Sequence, residues 1–287
     1  MLGTLVSKKI VNYLDLIRFD KPIGFLLLMW PCWFGLAYAE NNSIDLAYLY
    51  LLFFLGSFFM RSAGCIINDL IDIKIDNQIN RTCNRPLTSK KIGIFSAIIF
   101  LIFLLLLSLI ILIQFSLLSI IIGLVSAPLI VIYPFMKRIT YWPQLFLGLI
   151  FSWGVLITSA ELYGEIKLDY ILLYIACIFW TLGYDTIYAY QDREGDILNG
   201  IKSTAVLLGA KGKLFVKITF SCMLLIIGYL SWKSSENLVS IGVIIALLIG
   251  INIHINKWQQ NSTQNSNYYF RQNNLFGVII FLYLLLF

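Results

Sequence analysis

The chain has 287 residues, of which 60% are hydrophobic and only 13% are charged, and its mean hydropathy is +0.85. These values exclude a water-soluble globular protein of this size. The net charge of +6 does not indicate nucleic-acid binding, because no basic stretch is interleaved with aromatic residues. We attribute it to membrane topology and to anionic lipid.

Nine apolar segments have about the length needed to cross roughly 30 Å of hydrocarbon as helices, and the last of them is short. They lie near 22–39, 46–67, 93–113, 116–134, 144–160, 168–187, 214–231, 238–255 and 273–287. The pattern predicts an all-α, polytopic membrane bundle that forms a single domain over 1–287. The run Gln259–Asn267 before the last segment is rich in Asn, Gln and Ser and is interpreted as a solvated loop.

The basic residues predict the orientation of the spans. With the N-terminus in the cytoplasm, only Lys167 and Lys233 of the 21 Lys and Arg residues face the other side. The tail 1–21 and the loops 68–92, 135–143, 188–213 and 256–272 are then cytoplasmic under the positive-inside rule. We expect no cleaved secretory signal or organellar presequence, which favours a bacterial inner membrane.

Two acidic pairs stand out in a chain with only 15 Asp and Glu residues. Asp72 and Asp76 follow the second span, and Asp192 and Asp196 follow the sixth, each 120 residues after its counterpart. This displacement predicts an internal duplication, with halves of about 22–140 and 141–256 and a last helix at about 273–287 outside the repeat. A bundle made of such halves can hold a site between facing helices around a central cavity.

The spacing of the pairs indicates a magnesium site. Carboxylates four residues apart share one face of a helix. Two such faces turned toward each other would hold Mg²⁺ and, through it, a diphosphate, because this cation takes carboxylate and phosphate oxygens as ligands. The five cysteines show no CxxC spacing and are interpreted as buried thiols, and the single histidine, His254, as a buried or interfacial side chain.

Several cations accompany the acidic pairs. Arg61 lies eleven residues before Asp72, about three turns away on the same helix face. Arg81, Lys137 and Lys202 are expected to neutralise a diphosphate leaving group. An allylic diphosphate would then ionise toward a carbocation, and the rings of Tyr133 and Tyr188 are candidates to shield it.

The residues that carry these features resemble motifs of the UbiA superfamily of membrane prenyltransferases. The matching segments are Asn68-Asp-x-x-Asp72-x-x-x-Asp76, Asn84-Arg-Pro-Leu87, Asp185-Thr-x-Tyr-Ala-x-x-Asp192-Arg-x-x-Asp196, Gly200-Ile-Lys-Ser-Thr204, Arg18-x-Asp-Lys-Pro-Ile-Gly24 and Tyr133-Pro-Phe-Met-Lys-Arg-Ile-Thr140. They extend over most of the chain, and the two long motifs together are highly specific.

The resemblance implies nine helices around a central cavity and a Mg²⁺-dependent transfer. The transfer moves a polyprenyl group from polyprenyl diphosphate to the carbon ortho to the hydroxyl of 4-hydroxybenzoate, as in ubiquinone synthesis. It implies that Mg²⁺-diphosphate is held by Asn68, Asp72, Asp76, Asp192 and Asp196. It also implies that Arg61 contacts the aromatic acid, that Arg81 and Lys137 contact the diphosphate, and that Arg18 and Asp185 belong to the substrate site.

Other functions remain open at this point. A sister enzyme would use a different acceptor, such as a dihydroxynaphthoate, homogentisate, chlorophyllide or haem. A transporter is the alternative from another class, because duplicated bundles are typical of carriers. The acidic clusters argue against a transporter, since they lie at one membrane face rather than at the midplane. A scaffold role leaves the costly acidic groups unexplained.

Overall fold

A computed structural model describes residues 2–39, 45–77 and 82–287. Within these ranges the chain forms helices and turns and no strand, which confirms the all-α class. The helices α1 to α15 are, in order, Leu2–Leu16, Ile23–Ala37, Leu46–Asp76, Ile94–Leu112, Leu117–Val125, Ala127–Ile139, Pro143–Phe151, Gly154–Tyr163, Leu168–Ala189, Arg193–Leu198, Thr204–Leu208, Gly212–Ser235, Leu238–Asn256, Thr263–Arg271 and Asn273–Leu286.

The described residues contain eight helical segments that are long and apolar enough to cross a membrane. They are Leu46–Lys74, Ile94–Leu112, Leu117–Ile139, Pro143–Tyr163, Leu168–Ala189, Thr204–Ser235, Leu238–Asn256 and Thr263–Leu286. The shorter apolar helix Ile23–Ala37 corresponds to the first predicted span. Each of the nine predicted spans therefore coincides with an apolar helical segment.

Four of these segments are interrupted helices, and in Thr204–Ser235 a 3₁₀ turn at Gly209–Lys211 separates α11 from α12. The break between α5 and α6 falls at Ser126, whose hydroxyl donates to the Gly123 carbonyl at 2.7 Å, and Pro128 follows in the first turn of α6. A second break separates α7 from α8, and a third separates α14 from α15 at Gln272. The hydroxyl in the first break gives a carbonyl at the helix end a hydrogen-bond partner, as a membrane interior requires.

The chain divides into two compact units. The first comprises Met1–Met29 and Tyr48–Phe115. Four parts of the chain form its core: the end of α1, the middle of α3, the loop that follows α3, and helix α4. The buried residues of this core are Leu16, Ile17, Ala63, Ile66, Leu87, Ile92, Ala97 and Leu104. Helix α1 was not predicted, because the segment 1–21 was interpreted as a tail.

The second unit comprises Trp30–Ala47 and Ser116–Phe287, and its core surrounds α9. Helix α9 packs against α7, α8, α12 and α14. Gly183 permits the close approach to α12, since a Cβ there would clash with the Phe220 ring. Trp180 is fully buried and donates its indole N–H to Asn273 at 3.1 Å.

The two units do not coincide with the predicted halves 22–140 and 141–256, and the duplication stays a prediction. One interpretation near the C-terminus is corrected. The run Gln259–Asn267 is not wholly a solvated loop, because α14 begins at Thr263. Ser262 caps this helix, and the buried Ser266 hydroxyl accepts from the Trp258 indole at 3.0 Å.

Candidate active site

The first acidic cluster lies on one continuous helix. Helix α3 runs without a break from Leu46 to Asp76, so Asn68, Asp72 and Asp76 project from the same face at four-residue intervals. The carboxylates of Asp72 and Asp76 are buried, with residue exposures of 0% and 4%. Charged groups withdrawn from solvent in this way require compensating partners.

Arginine supplies such a partner to Asp76. Arg85, in the loop after α3, donates from Nη1 to Asp76 Oδ2 at 2.6 Å and to Asp69 Oδ1 at 3.0 Å. Burial raises the pKa of the Asp76 carboxyl, and the Arg85 guanidinium opposes that rise. Asp76 is therefore held in an ion pair at the end of α3.

The Arg18 guanidinium forms hydrogen bonds with other groups of the protein. Its Nη2 donates to both oxygens of Asp69, at 2.7 and 2.8 Å. Its Nη1 donates to the carbonyls of Asp15 and Leu16 at the end of α1. This geometry favours a positioning role for Arg18 over the substrate contact implied by the sequence motif, which stays untested.

Arg61 lies on α3 eleven residues before Asp72, about 16 Å deeper along the helix axis. Its guanidinium rests against Gly24 in the first turn of α2. A Cβ at Gly24 would lie 2.8 Å from Arg61 Nε and 3.2 Å from Nη2. Glycine at position 24 therefore makes room for the Arg61 side chain, a contact that sequence spacing alone did not indicate.

The second acidic cluster is built differently. Helix α9 ends at Ala189, so Asp192 lies beyond the span, at the residue that precedes α10, and Asp196 lies within α10. The Asp196 N–H donates to the Asp192 carbonyl at 2.8 Å, which fixes the short turn between them. Both clusters have the four-residue spacing of a helix. Only the first lies on the same helix as its membrane span, because the second lies beyond the end of α9. Asp185 lies on α9 and is half-buried.

The loop after α10 joins the second cluster to α6 and α7. Ser203 donates its hydroxyl to Asp196 Oδ2 at 3.2 Å. The Lys202 N–H donates to the Lys137 carbonyl at 2.9 Å, and Lys202 Nζ donates to the Ile139 carbonyl at 3.0 Å. The backbone of Lys202 therefore lies against the end of α6, next to Lys137.

Helix α6 carries Tyr133 and Lys137 one turn apart, and both side chains are half-buried. Residues four apart on a helix share a face. A phenol ring and an ammonium group are therefore presented side by side. Arg81, the remaining predicted phosphate contact, lies outside the described residues.

The chemistry of the donors fits Mg²⁺. The side chains of both clusters offer oxygen alone, the ligand type that this cation prefers. Within the described ranges no group of three His, Cys, Asp or Glu side chains is arranged to hold a metal by itself.

The sequence did not predict the contacts by which Asp69, Arg85, Gln144 and Ser203 hold the clusters in place. Asp69 and Arg85 both lie within the motifs quoted above, but the sequence does not show that they pair with each other. Gln144 follows a helix-initiating proline and gave no signal, because its partner, the Thr204 N–H, is sixty residues away.

Comparison with known proteins identifies the family of the chain. The profile of the UbiA prenyltransferase family matches residues 28–276. The chain is 38% identical over 285 residues to a 4-hydroxybenzoate octaprenyltransferase of Blochmanniella pennsylvanica, covering 96% of this chain and 95% of the relative. It is 40% identical over 276 residues to a mitochondrial 4-hydroxybenzoate polyprenyltransferase of Drosophila pseudoobscura pseudoobscura, covering 94% and 68%.

Solved structures share the fold. A UbiA homologue from Archaeoglobus fulgidus bound to DMAPP and Mg²⁺ superposes with a TM-score of 0.71 at 18% identity, covering 95% of this chain and 97% of that one. A digeranylgeranylglyceryl phosphate synthase superposes with a TM-score of 0.69 at 21% identity, covering 97% and 98%.

Proposed function

The chain belongs to the UbiA prenyltransferase family, and we propose that it transfers a polyprenyl group to the ring carbon ortho to the hydroxyl of 4-hydroxybenzoate in ubiquinone biosynthesis. The observation that carries the proposal is the identity of 35–40%, over 94–96% of this chain, to 4-hydroxybenzoate octaprenyltransferases and a polyprenyltransferase. The two carboxylate clusters and the buried arginine on α3 give this reaction a chemical basis.

The metal ligands in this proposal are Asn68, Asp72, Asp76, Asp192 and Asp196. Bound Mg²⁺ would neutralise the diphosphate and stabilise the charge that develops on it as a leaving group. The related structure with DMAPP and Mg²⁺ supports a divalent metal at this kind of site. Asn68 and the four carboxylates thereby fix the diphosphate and orient its first prenyl carbon.

Cationic side chains complete the diphosphate site. Arg81, Lys137 and Lys202 neutralise the phosphate oxygens, since fixed charges placed where negative charge accumulates lower the barrier most. The backbone hydrogen bond from Lys202 to Lys137 supports placing these two residues at the same site. Arg18 and Asp185 are assigned to the same site from the sequence motifs, with Arg18 acting through Asp69.

The reaction breaks the bond between the prenyl carbon and the diphosphate oxygen, and the electron pair leaves with the diphosphate. The ring carbon ortho to the hydroxyl then bonds to the allylic cation. That carbon gives its proton to the released diphosphate, and the electron pair of the C–H bond restores the aromatic ring. Tyr133 presents its ring to the cation. Arg61 pairs with the carboxylate of 4-hydroxybenzoate in a bidentate contact and so selects a carboxylated ring.

The reaction takes place at the cytoplasmic face of a bacterial inner membrane, on a multi-pass protein. The distribution of Lys and Arg supports this orientation, because all but Lys167 and Lys233 then lie within or border the cytoplasmic side. In this arrangement the first acidic cluster lies at the cytoplasmic end of α3, and the second follows the cytoplasmic end of α9. The prenyl chain remains in the apolar phase.

The test is an acceptor comparison with the purified full-length protein. It is incubated with Mg²⁺, prenyl diphosphates of several lengths and radiolabelled 4-hydroxybenzoate, and in parallel with dihydroxynaphthoate and homogentisate. We expect a labelled product prenylated ortho to the hydroxyl and little turnover of the other acceptors. Preferred turnover of another acceptor would reassign the enzyme within the family, and no transfer to any acceptor would overturn the proposal.

A further inference from the structure

Asp69 lies beside the predicted metal ligands, but it forms ion pairs with two arginines. It is 1% exposed, and its two oxygens accept three charged hydrogen bonds, two from Arg18 and one from Arg85. A carboxylate bound in this way to two guanidinium groups is stabilised in a buried position without a metal. Asp69 is thus the centre of an ionic cluster made of Arg18, Asp69, Arg85 and Asp76.

The cluster fastens two segments of chain to α3. Arg18 has a left-handed backbone, with φ of +60°, which is unfavourable for a non-glycine residue unless its surroundings hold it. Its bidentate bond to Asp69 supplies that hold and anchors the end of α1. Arg85 anchors the loop that follows α3, and its side chain is 18% exposed.

One nitrogen atom of Arg85 is shared between two carboxylates. Nη1 lies 3.0 Å from Asp69 Oδ1 and 2.6 Å from Asp76 Oδ2. Asp69 and Asp76 are seven residues apart, two turns of α3, and therefore share a face. Asp69 competes with Asp76 for the positive charge, so its presence weakens the bond that Mg²⁺ must displace or share at Asp76.

We propose that Asp69 is a positioning residue that sets the metal affinity of the first cluster by sharing Arg85 with Asp76. The inference rests on the proposed function, because it treats Asp76 as a ligand of Mg²⁺. If Asp69 is neutralised, Arg85 pairs with Asp76 alone. A higher Mg²⁺ concentration is then needed to half-saturate the site. Removing Arg18 has the opposite effect, because Asp69 then draws Arg85 away from Asp76.

A double-mutant cycle separates this role from direct ligation. Asp69→Asn, Arg85→Gln and the double variant are made in the full-length protein. Metal affinity is measured by EPR of Mn²⁺, which substitutes for Mg²⁺, in the presence of an inert prenyl thiodiphosphate. The half-saturating Mg²⁺ concentration for prenyl transfer is measured alongside.

We expect Asp69→Asn to weaken Mn²⁺ binding roughly tenfold, the order of one charge-assisted hydrogen bond, and to have no further effect once Arg85 is replaced. Equal weakening in both backgrounds would show that Asp69 touches the metal itself and would overturn the inference. Unchanged Mn²⁺ affinity together with a lower unfolding temperature would also overturn it, because Asp69 would then serve stability alone.

Arg18→Gln provides a test that does not depend on whether the Asp69→Asn protein folds. The inference predicts tighter Mn²⁺ binding in this variant, and weaker or unchanged binding would contradict it. Asp169→Asn is the matched control, since Asp169 forms an ion pair with Lys233 at 2.6 Å in the first turn of α9, and we expect its Mn²⁺ affinity to equal that of the parent.

The outcomes also separate the inference from the proposed function. If the parent protein transfers prenyl groups with Mg²⁺ but the cycle shows no coupling between positions 69 and 85, only the inference fails. If the coupling is present in Mn²⁺ binding and no acceptor is prenylated, the proposed reaction fails and the ionic arrangement stands.

Discussion

Gln144 accepts, through its side-chain oxygen, a hydrogen bond of 3.1 Å from the backbone N–H of Thr204. The Thr204 hydroxyl lies 2.8 Å from the hydroxyl of Thr186 on α9. All three residues are buried. This neutral network joins α7, α9 and the start of α11, and so holds the loop that carries Lys202 and the Asp196 partner Ser203.

Gln144→Leu should therefore lower stability and loosen the diphosphate site together. The change leaves the buried Thr204 N–H without its acceptor, at a cost of about 1–3 kcal/mol. We expect a lower unfolding temperature and a raised KM for prenyl diphosphate, measured on the purified protein. Gln114→Leu is the matched control because Gln114 is exposed at the end of α4, and equal effects of both changes would contradict the role of the network.

Arg61→Ala should damage the use of one substrate. If the guanidinium pairs with the carboxylate of the acceptor, its removal raises the KM for 4-hydroxybenzoate strongly and leaves the KM for prenyl diphosphate nearly unchanged. Steady-state kinetics with each substrate varied in turn checks this split. Comparable damage to both substrates would place Arg61 at the phosphate site.

Gly24→Ala should reproduce the Arg61→Ala pattern in weaker form. The new Cβ would lie 2.8 Å from Arg61 Nε, so the guanidinium must shift, and the KM for 4-hydroxybenzoate should rise several-fold. Gly64→Ala, on the same helix as Arg61, is the control, because a Cβ there meets nothing within 4 Å. Alanine is also the better helix former by about 1 kcal/mol, so stability loss is not expected in the control.

The orientation of the chain is open to direct measurement. Asn77 follows α3 and Asn199 follows α10, and both are exposed. Reporter fusions at these two positions should show cytoplasmic exposure, as the distribution of basic residues predicts. Periplasmic exposure of either fusion would reverse the membrane side of the acidic cluster that precedes it.

The membrane spans were predictable because hydropathy over about 20 residues is a strong local signal. Helix α4, with a mean hydropathy of 3.2, shows the signal at its clearest. The interruptions were not predicted, since a break such as that at Ser126 depends on where its hydroxyl finds a carbonyl. Helix α1 was missed because its first lysines resembled a cytoplasmic tail.

The acidic clusters were also predictable, since Asp72, Asp76, Asp192 and Asp196 are conspicuous in an apolar chain. The sequence did not predict that α9 ends before Asp192 and Asp196, because nothing in the residues near Ala189 marks the end of that helix. Ion pairs between distant positions, such as that of Arg18 with Asp69, require tertiary structure. Spacing identifies candidate ligands, and packing decides which carboxylates are already paired.

The central claim is that both carboxylate clusters serve one Mg²⁺-dependent prenyl transfer. The most direct measurement is turnover of 4-hydroxybenzoate and prenyl diphosphate by purified Asp72→Asn and Asp192→Asn proteins with saturating Mg²⁺, alongside Asp169→Asn. We expect each cluster variant to lose turnover by orders of magnitude while remaining folded and inserted, because each loses a metal ligand and little packing volume. Near-normal turnover in either cluster variant would contradict the claim.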